Sequence, residues 1–297
     1  MAIRTAVAFA FAACLVVSQL GCGKSGDRKT AEQPRPADLT SLEIVFNFVA
    51  MRQAESDDLF RVAADGSAER RLHQTTYRFH ESNGAWSPDG KKLAFEGRTH
   101  QDWRVLDPGR DGLYVMNPDG TGRRLLVRGN VDDPAWAADG RRIAFALGAR
   151  GNQAIHVWAE GGAVTRLTGF VGATRPTWAP DGAKIAFQHG PPPEATGRAL
   201  RPSLYVMRWD GSGARRIGFG GAPEWAPSGE KILFYDCVDC AAHVPIGQTP
   251  EWQTFVVGID GTASQKPRRL TDPQKLPSWP DRRASNWLPL TELESCL

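Results

Sequence analysis

The sequence contains neither G-x-S-x-G nor H-E-x-x-H, so the nucleophile elbow of a serine hydrolase and the metal-binding helix of a zincin are both missing. A large excess of charge of one sign is missing as well. A net charge of +3 over 297 residues, with no long basic run, excludes the usual electrostatic signature of a nucleic-acid binder. The apolar stretch at residues 5–17 (TAVAFAFAACLVV) is shorter than the roughly 20 residues a membrane-spanning helix needs. What is plentiful is turn residues and large flat side chains. Gly 31, Pro 21 and Trp 10 point to many short strands rather than helices.

The N-terminus reads as an export signal, with Arg4 before the apolar stretch and Gly21-Cys22 after it. This resembles a bacterial lipoprotein signal, in which the cysteine after a small residue is acylated and becomes the new N-terminus. The expectation is a signal peptide over 1–21, lipid attachment at Cys22, and a tether over 22–41 with too few apolar side chains to fold. The protein would then face the periplasm or the cell surface of a bacterial envelope, held to a membrane by its acyl chains. Gln19, where that signal usually has an aliphatic residue, leaves ordinary cleavage to a soluble periplasmic or secreted form as the alternative.

The rest of the chain repeats. WSPDG at 86–90, WAADG at 136–140, WAPDG at 178–182 and WAPSG at 225–229 are followed by a degenerate copy that starts at Trp279. The tryptophans are 50, 42, 47 and 54 residues apart, the size of one propeller blade. An apolar strand follows each of the first four copies: KKLAFEG, RRIAFAL, AKIAFQH and EKILFYD. A loop, a second strand (GLYVMN, AIHVWA, SLYVMR, TFVVGI), a glycine turn and a last short strand such as RRLLV complete each unit. In S-P-D-G, proline presets φ for the first central turn position, aspartate suits the second, and glycine takes the left-handed conformation that follows. Tryptophan at one point of every repeat supplies a plate for stacking blade on blade. The pairs Arg70-Arg71, Arg123-Arg124, Arg215-Arg216 and Arg268-Arg269 fall on the last strand, where charge would keep an outer edge from pairing with another molecule.

Before the first WSPDG lie EIVFNFVA (43–50), DLFRVAADG (58–66) and ERRLH (69–73), which match the second, third and fourth strands of a repeat lacking its first. PSW at 277–279 matches a first strand without followers. The expected fold is an all-β propeller over 42–283 with five four-stranded blades, one of them shared by the N- and C-terminal strands. Six blades are the alternative, and residues 284–297 form a tail. W-S/A-P-D-G, K/R-I-A-F, L-Y-V-M, D-G and R-R-L in this order are similar to the TolB-type propeller repeat. That resemblance implies a fold and leaves function to the site.

Connections in such a blade alternate between two faces. One face carries short glycine turns. The other carries the long, dissimilar loops 97–112, 189–203 and 236–252, and variable loops on a rigid scaffold are where recognition concentrates. Trp103, Arg104, Arg201 and Trp252 are the candidate contacts there. The function expected is non-catalytic binding of another envelope protein or a peptidoglycan-associated partner by a monomer without cofactor or metal. The alternative is a carbohydrate-active lyase with His100, His189 and His243 around a funnel metal. Cys237 and Cys240 are expected to form a disulfide that pins the third loop. With His243 they could instead supply three zinc ligands.

Overall fold

The computed structural model describes residues 43–49, 57–63, 70–72, 79–99, 105–190, 202–237, 252–259 and 268–269. Every regular element among them is a strand, and each sheet is an antiparallel meander. Strands β1 (Glu43–Val49), β2 (Asp57–Ala63) and β3 (Arg70–Arg71) form a three-stranded sheet. Four four-stranded sheets follow. They are β4 (His80–Trp86) to β7 (Arg124–Arg128) through β5 (Leu93–Arg98) and β6 (Gly112–Met116), and β8 (Val131–Trp136) to β11 (Val164–Arg166) through β9 (Arg142–Leu147) and β10 (Ala154–Ala159). Next come β12 (Ala173–Trp178) to β15 (Arg215–Phe219) through β13 (Lys184–His189) and β14 (Ser203–Arg208), and β16 (Gly221–Trp225) to β19 (Arg268–Arg269) through β17 (Lys231–Cys237) and β18 (Trp252–Gly258).

The first strands β4, β8, β12 and β16 pack on one another in succession, so they sit innermost, and the fourth strands lie at the outer edges. This is the radial arrangement of a β-propeller. The PDG turns close as the sequence predicts: Gly90, Gly140, Gly182 and Gly229 have φ between 66° and 72°. Their N–H groups donate to Ser87, Ala137, Ala179 and Ala226 at 2.8–3.0 Å.

Between successive sheets lie four apolar layers, each built from both neighbours. The layer between the third and fourth sheets joins Ala144, Ile155 and Val157 to Trp178, Ile185 and Phe187. Phe95, Phe145, Phe187 and Phe234, from the A-F strands, are all fully buried. Trp136, Trp178 and Trp225 also make a directed bond, whereas the buried Trp86 Nε1 has no partner among the described residues. The indole N–H of Trp136 donates to the carbonyl of Ala85, that of Trp178 to Ala135 and that of Trp225 to Thr177, each at 3.1 Å. In every case the acceptor is the residue just before the tryptophan of the preceding sheet.

Two features were not read from the sequence. Each innermost strand carries a bulge, with Asn83, Asp133, Arg175 and Ala222 at φ 49–52° three residues before its tryptophan. In three of the four, proline follows, at a point where the interrupted ladder has no need of its N–H. The arginine pairs are not only edge charges. Arg123 donates to the buried Glu81 at 2.9 Å and lies over the rings of Phe79 and Tyr114. Arg70 reaches the Asp119 carbonyl of the next sheet at 3.3 Å, and Arg215 reaches that of Ile259. The turn at Gly120 abuts the preceding sheet so closely that a Cβ there would meet the Leu72 carbonyl oxygen at 1.9 Å. The expected first strand at 277–279 lies outside the described residues.

Replacing Trp178 separates its two contributions. Trp178→Phe keeps most of the plate and strands the Ala135 carbonyl, which should cost about 1–2 kcal/mol of unfolding free energy. Trp178→Ala should cost about 3–5 kcal/mol. Denaturant unfolding of the two variants and the parent measures both.

Candidate binding face

The links between sheets and the loops that follow β5, β9, β13 and β17 share one face of the disc, because strands alternate in direction through every meander. The loop after β5 is locked in place where it is described. The buried Asp111 carboxylate accepts from Thr99 N at 2.7 Å, Thr99 Oγ1 at 2.9 Å and Asp107 N at 2.9 Å. Arg128 Nη1 donates to the Gly109 carbonyl at 2.7 Å, and the Tyr114 hydroxyl donates to that of Arg110. This rigid base presents Val105 and Leu106 to solvent, 45% and 44% exposed. On the same face, Phe170 and Val171 are exposed in the link before β12, and Phe219 at the end of β15. Of the seven exposed large apolar residues among the described ones, five are therefore here, and only Val164 and Trp209 are on the opposite face.

At the junction between the second and third sheets is a polar network. Arg98 Nη2 donates to Asp132 Oδ1 at 2.5 Å, to Glu96 Oε2 at 3.3 Å and to the Val131 carbonyl at 3.2 Å. The Ser82 hydroxyl donates to Glu96, and Gln153 Nε2 donates to Asp132 at 3.3 Å. Burial is the main cause that pushes the Glu96 carboxyl up to about 8; Arg98 opposes the shift and the Asp132 carboxylate reinforces it. Nearby, Asp133 is pushed up to about 6 by burial, although Arg175 draws it down and the Arg175 N–H donates to it at 3.2 Å. On β16, burial alone pushes Glu224 up to about 7.

Most of the residues singled out in the sequence are not among the described ones. Trp103, Arg104, Arg201, Cys22, Cys240, His100 and His243 lie outside the described residues. Trp252 proves to be the first residue of β18, paired with Cys237 at the end of β17, and so bounds its loop from a strand. His189 is described: Nε2 is 2.9 Å from the Val171 carbonyl, and its ring packs edge-on against Phe170. Among the described residues no three His, Cys, Asp or Glu side chains are grouped as a metal would need. The sequence reading missed the Val105–Leu106 pair and the Phe170 cluster. Their exposed apolar side chains beside the candidates Trp103 and Arg104 were the available signal.

The TolB beta propeller domain family matches residues 106–267, more than half of the chain. The chain belongs to that family. A stretch of 86 residues is 35% identical to the Tol-Pal system protein TolB of Gluconobacter oxydans, covering 29% of this chain and 17% of that protein. The TolB-type chain thus matches about a sixth of the length of that relative. A solved TolB-type protein from Agrobacterium tumefaciens superposes with a TM-score of 0.56 at 20% identity, over 77% of this chain and 76% of that one. An oligogalacturonate lyase in complex with manganese superposes with a TM-score of 0.51 at 12% identity, over 77% and 62%. At these identities the solved structures speak for the fold alone.

The raised carboxyls of this TolB-type propeller make its stability fall as pH rises. A carboxyl whose folded-state pKa exceeds its unfolded value binds more protons when folded, so stability is full below about pH 4.5 and declines up to the folded value. For Glu96 that window runs from its ordinary value of 4.5 to about 8. Glu96→Gln keeps a neutral group of the same shape and should remove this part of the slope. Thermal unfolding at pH 5 and pH 8 should show the parent losing more Tm than the variant, by roughly 2–4 °C for each kcal/mol recovered.

Proposed function

We propose that this TolB-type propeller is a non-catalytic envelope protein that binds a protein partner through its long-loop face. The observation that carries the reading is the asymmetry of the disc. Exposed Val105, Leu106, Phe170, Val171 and Phe219 share the face that carries the long loops, on a base held by buried hydrogen bonds. Apolar groups offered to solvent by a rigid scaffold are characteristic of a protein interface. Trp103, Arg104, Arg201 and Trp252 would enlarge the same face with the residue types that anchor interfaces. A disulfide between Cys237 and Cys240 would fix the shape of the third loop. The engagement of His189 with a backbone carbonyl and an aromatic ring favours a packing role for it over metal ligation.

The export signal read at residues 1–21 supports a location of this face in the bacterial envelope. On this reading residues 1–21 are removed, Cys22 carries lipid, 22–41 is a tether, the propeller spans 42–283 and 284–297 is a tail. The Gluconobacter relative belongs to the Tol-Pal system, so an envelope or peptidoglycan-associated protein is the partner class to test first.

Two measurements test these points. The lipidated protein, tagged and purified from detergent-solubilised envelopes after crosslinking, should capture its partner. Leu106→Asp with Phe170→Asp should reduce that capture at least about tenfold, the scale of a lost interface anchor. Trp209→Asp, on the opposite face, should leave it unchanged, and equal losses would remove the face assignment. Separately, Cys22→Ala should move the protein from the membrane fraction to the soluble one, and unchanged fractionation would show that Cys22 is not the anchor.

A further inference from the structure

The exposed charges of the disc are divided between its faces by sign. Every exposed Asp or Glu whose side chain is described lies on the glycine-turn face. Asp89, Asp139 and Asp181 are in the PDG turns, Asp119, Glu160 and Asp210 in the second turns, and Glu230 just before β17. The turns themselves account for this gathering, since the Oδ1 of each of the five aspartates accepts the N–H two residues on, at 2.9–3.1 Å. Turn chemistry does not account for the other face. There the exposed charged side chains among the described residues are all arginines: Arg110, Arg128, Arg150, Arg166 and Arg175. The carboxyl groups described on that face are buried or half-buried. Asp111 is held by three donors, Asp132 by Arg98, and Asp107 turns its Oδ1 to the Gly109 N–H at 2.8 Å.

Backbone bonds join these arginines and the exposed apolar side chains into one surface across the second to fourth sheets. Gly129 N donates to the Asp111 carbonyl, Gly148 N to that of Asn130 and Ala173 N to that of Gln153, each at 3.0 Å. Val105 and Leu106 thus adjoin Arg110 and Arg128 at one end. At the other, Arg150 and Arg166 flank Phe170 and Val171, and a Cβ on Gly172 would lie 3.5 Å from the Gly151 carbonyl oxygen. Two of the guanidiniums are held by neutral acceptors. Arg128 Nη1 donates to the carbonyls of Gly109 at 2.7 Å and Pro108 at 3.4 Å, and Arg166 Nε to that of Thr168 at 2.8 Å. Carbonyls fix a guanidinium in place and leave its charge uncancelled.

Building on the binding face assigned above, we propose that this surface takes an acidic protein segment with apolar side chains between its carboxylates. The planar fork of arginine meets a carboxylate with two parallel bonds, and the apolar groups between the arginines need apolar partners. A nucleic acid would leave Val105, Leu106 and Val171 uncovered, and a net charge of +3 gives it little attraction. A bilayer suits the surface less well. Val105, Leu106, Phe170 and Val171 are only 36–46% exposed, so they lie along the surface and do not stand out from it as membrane-inserting side chains must.

Fluorescence anisotropy on the purified full-length protein tests the chemistry with three labelled peptides. One alternates Glu with Leu and Phe over about 12 residues, and the others carry Gln or Lys in place of every Glu. The Glu peptide should bind at least about tenfold more tightly than the Gln peptide, the Lys peptide should bind most weakly, and added salt should narrow the differences. Arg128→Glu with Arg150→Glu should weaken the Glu peptide at least about tenfold. Arg141→Glu with Arg208→Glu, the same change of charge on the glycine-turn face, should leave it unaltered. Equal binding of the Glu and Gln peptides, or equal losses from the two arginine pairs, would overturn the proposal. So would binding to phosphatidylglycerol vesicles that depends on Arg128 and Arg150 while the three peptides bind alike, since the face would then belong to an anionic bilayer. Crosslinked capture from envelopes separates this from the face assignment. If Leu106→Asp with Phe170→Asp abolishes capture and Arg128→Glu with Arg150→Glu does not, the face stands and the acidic partner falls. If neither pair reduces it, both fall.

Discussion

Sheets in a propeller share no backbone ladder, so everything that sets the angle between neighbours must pass through side chains. The indole bond from Trp136, Trp178 and Trp225 to the preceding innermost strand is a directed contact that recurs at every described junction after the first. Apolar contact between sheets is strong but has no direction, since the layers of Phe, Ile and Ala would tolerate some slide of one sheet over the next. A buried N–H donor tolerates little, because moving it away from its carbonyl leaves both groups desolvated and unpaired. Placed at the same register point each time, the bond turns a stack of sheets into a rotation of constant step. The alanines that precede Trp86 and Trp136 serve this geometry, and so does Thr177 before Trp178. They are small enough for the next tryptophan to approach their carbonyls.

The bulges follow from the same constraint. An innermost strand must bring its tryptophan against the previous sheet and also turn round a narrow axis, and an extra residue in the left-handed region does both. The bulge frees a backbone N–H, and the preceding sheet caps it where the partners are seen. Asp133 accepts from Arg175 N, and Gln188 Oε1 accepts from Ala222 N at 3.1 Å. Capping needs polar side chains near the axis, where water is largely excluded. The raised carboxyls of Glu96, Asp133 and Glu224 are the electrostatic consequence of that placement, with desolvation the largest cause in all three. Asp133 ties its burial to this capping, since its carboxylate takes the Arg175 N–H of the next sheet.

Much of this was legible in the residues. WSPDG marks a strand end and a type I turn at once, and the A-F and L-Y-V-M strands alternate as a two-sided sheet requires, so the order and pairing of strands could be written down before any coordinates. The bulges could not. Asn83-Gly84 looks like a turn and Asp133-Pro134 like a strand end, and nothing local says that the ladder resumes after them. The arginine pairs misled in part, because an edge position is visible in sequence while the neighbour that Arg123 or Arg70 reaches is not. The candidate face was legible only as a set of loops. Loop length and an occasional aromatic residue mark where recognition could be. Which apolar side chains stay exposed depends on anchors such as Asp111, whose partners are brought together by tertiary structure.

The two faces of the disc answer to different demands. On the glycine-turn face, Gly120 and Gly211 lie against the preceding sheet with no room for a side chain beside Leu72 and Leu167. Change there propagates into the ring, which accounts for the uniformity of those turns. On the opposite face the loops leave from strand ends that are already fixed by the ladder and the indole bonds, so their middles can vary at little cost to the scaffold. Leu106 and Phe170 remain exposed on that side, Phe170 while packing one edge of its ring on Phe187, His189 and Tyr205. A scaffold whose rigidity is concentrated at its axis and whose tolerance lies along one rim is suited to holding a partner, and this division of labour follows from where the tryptophans are.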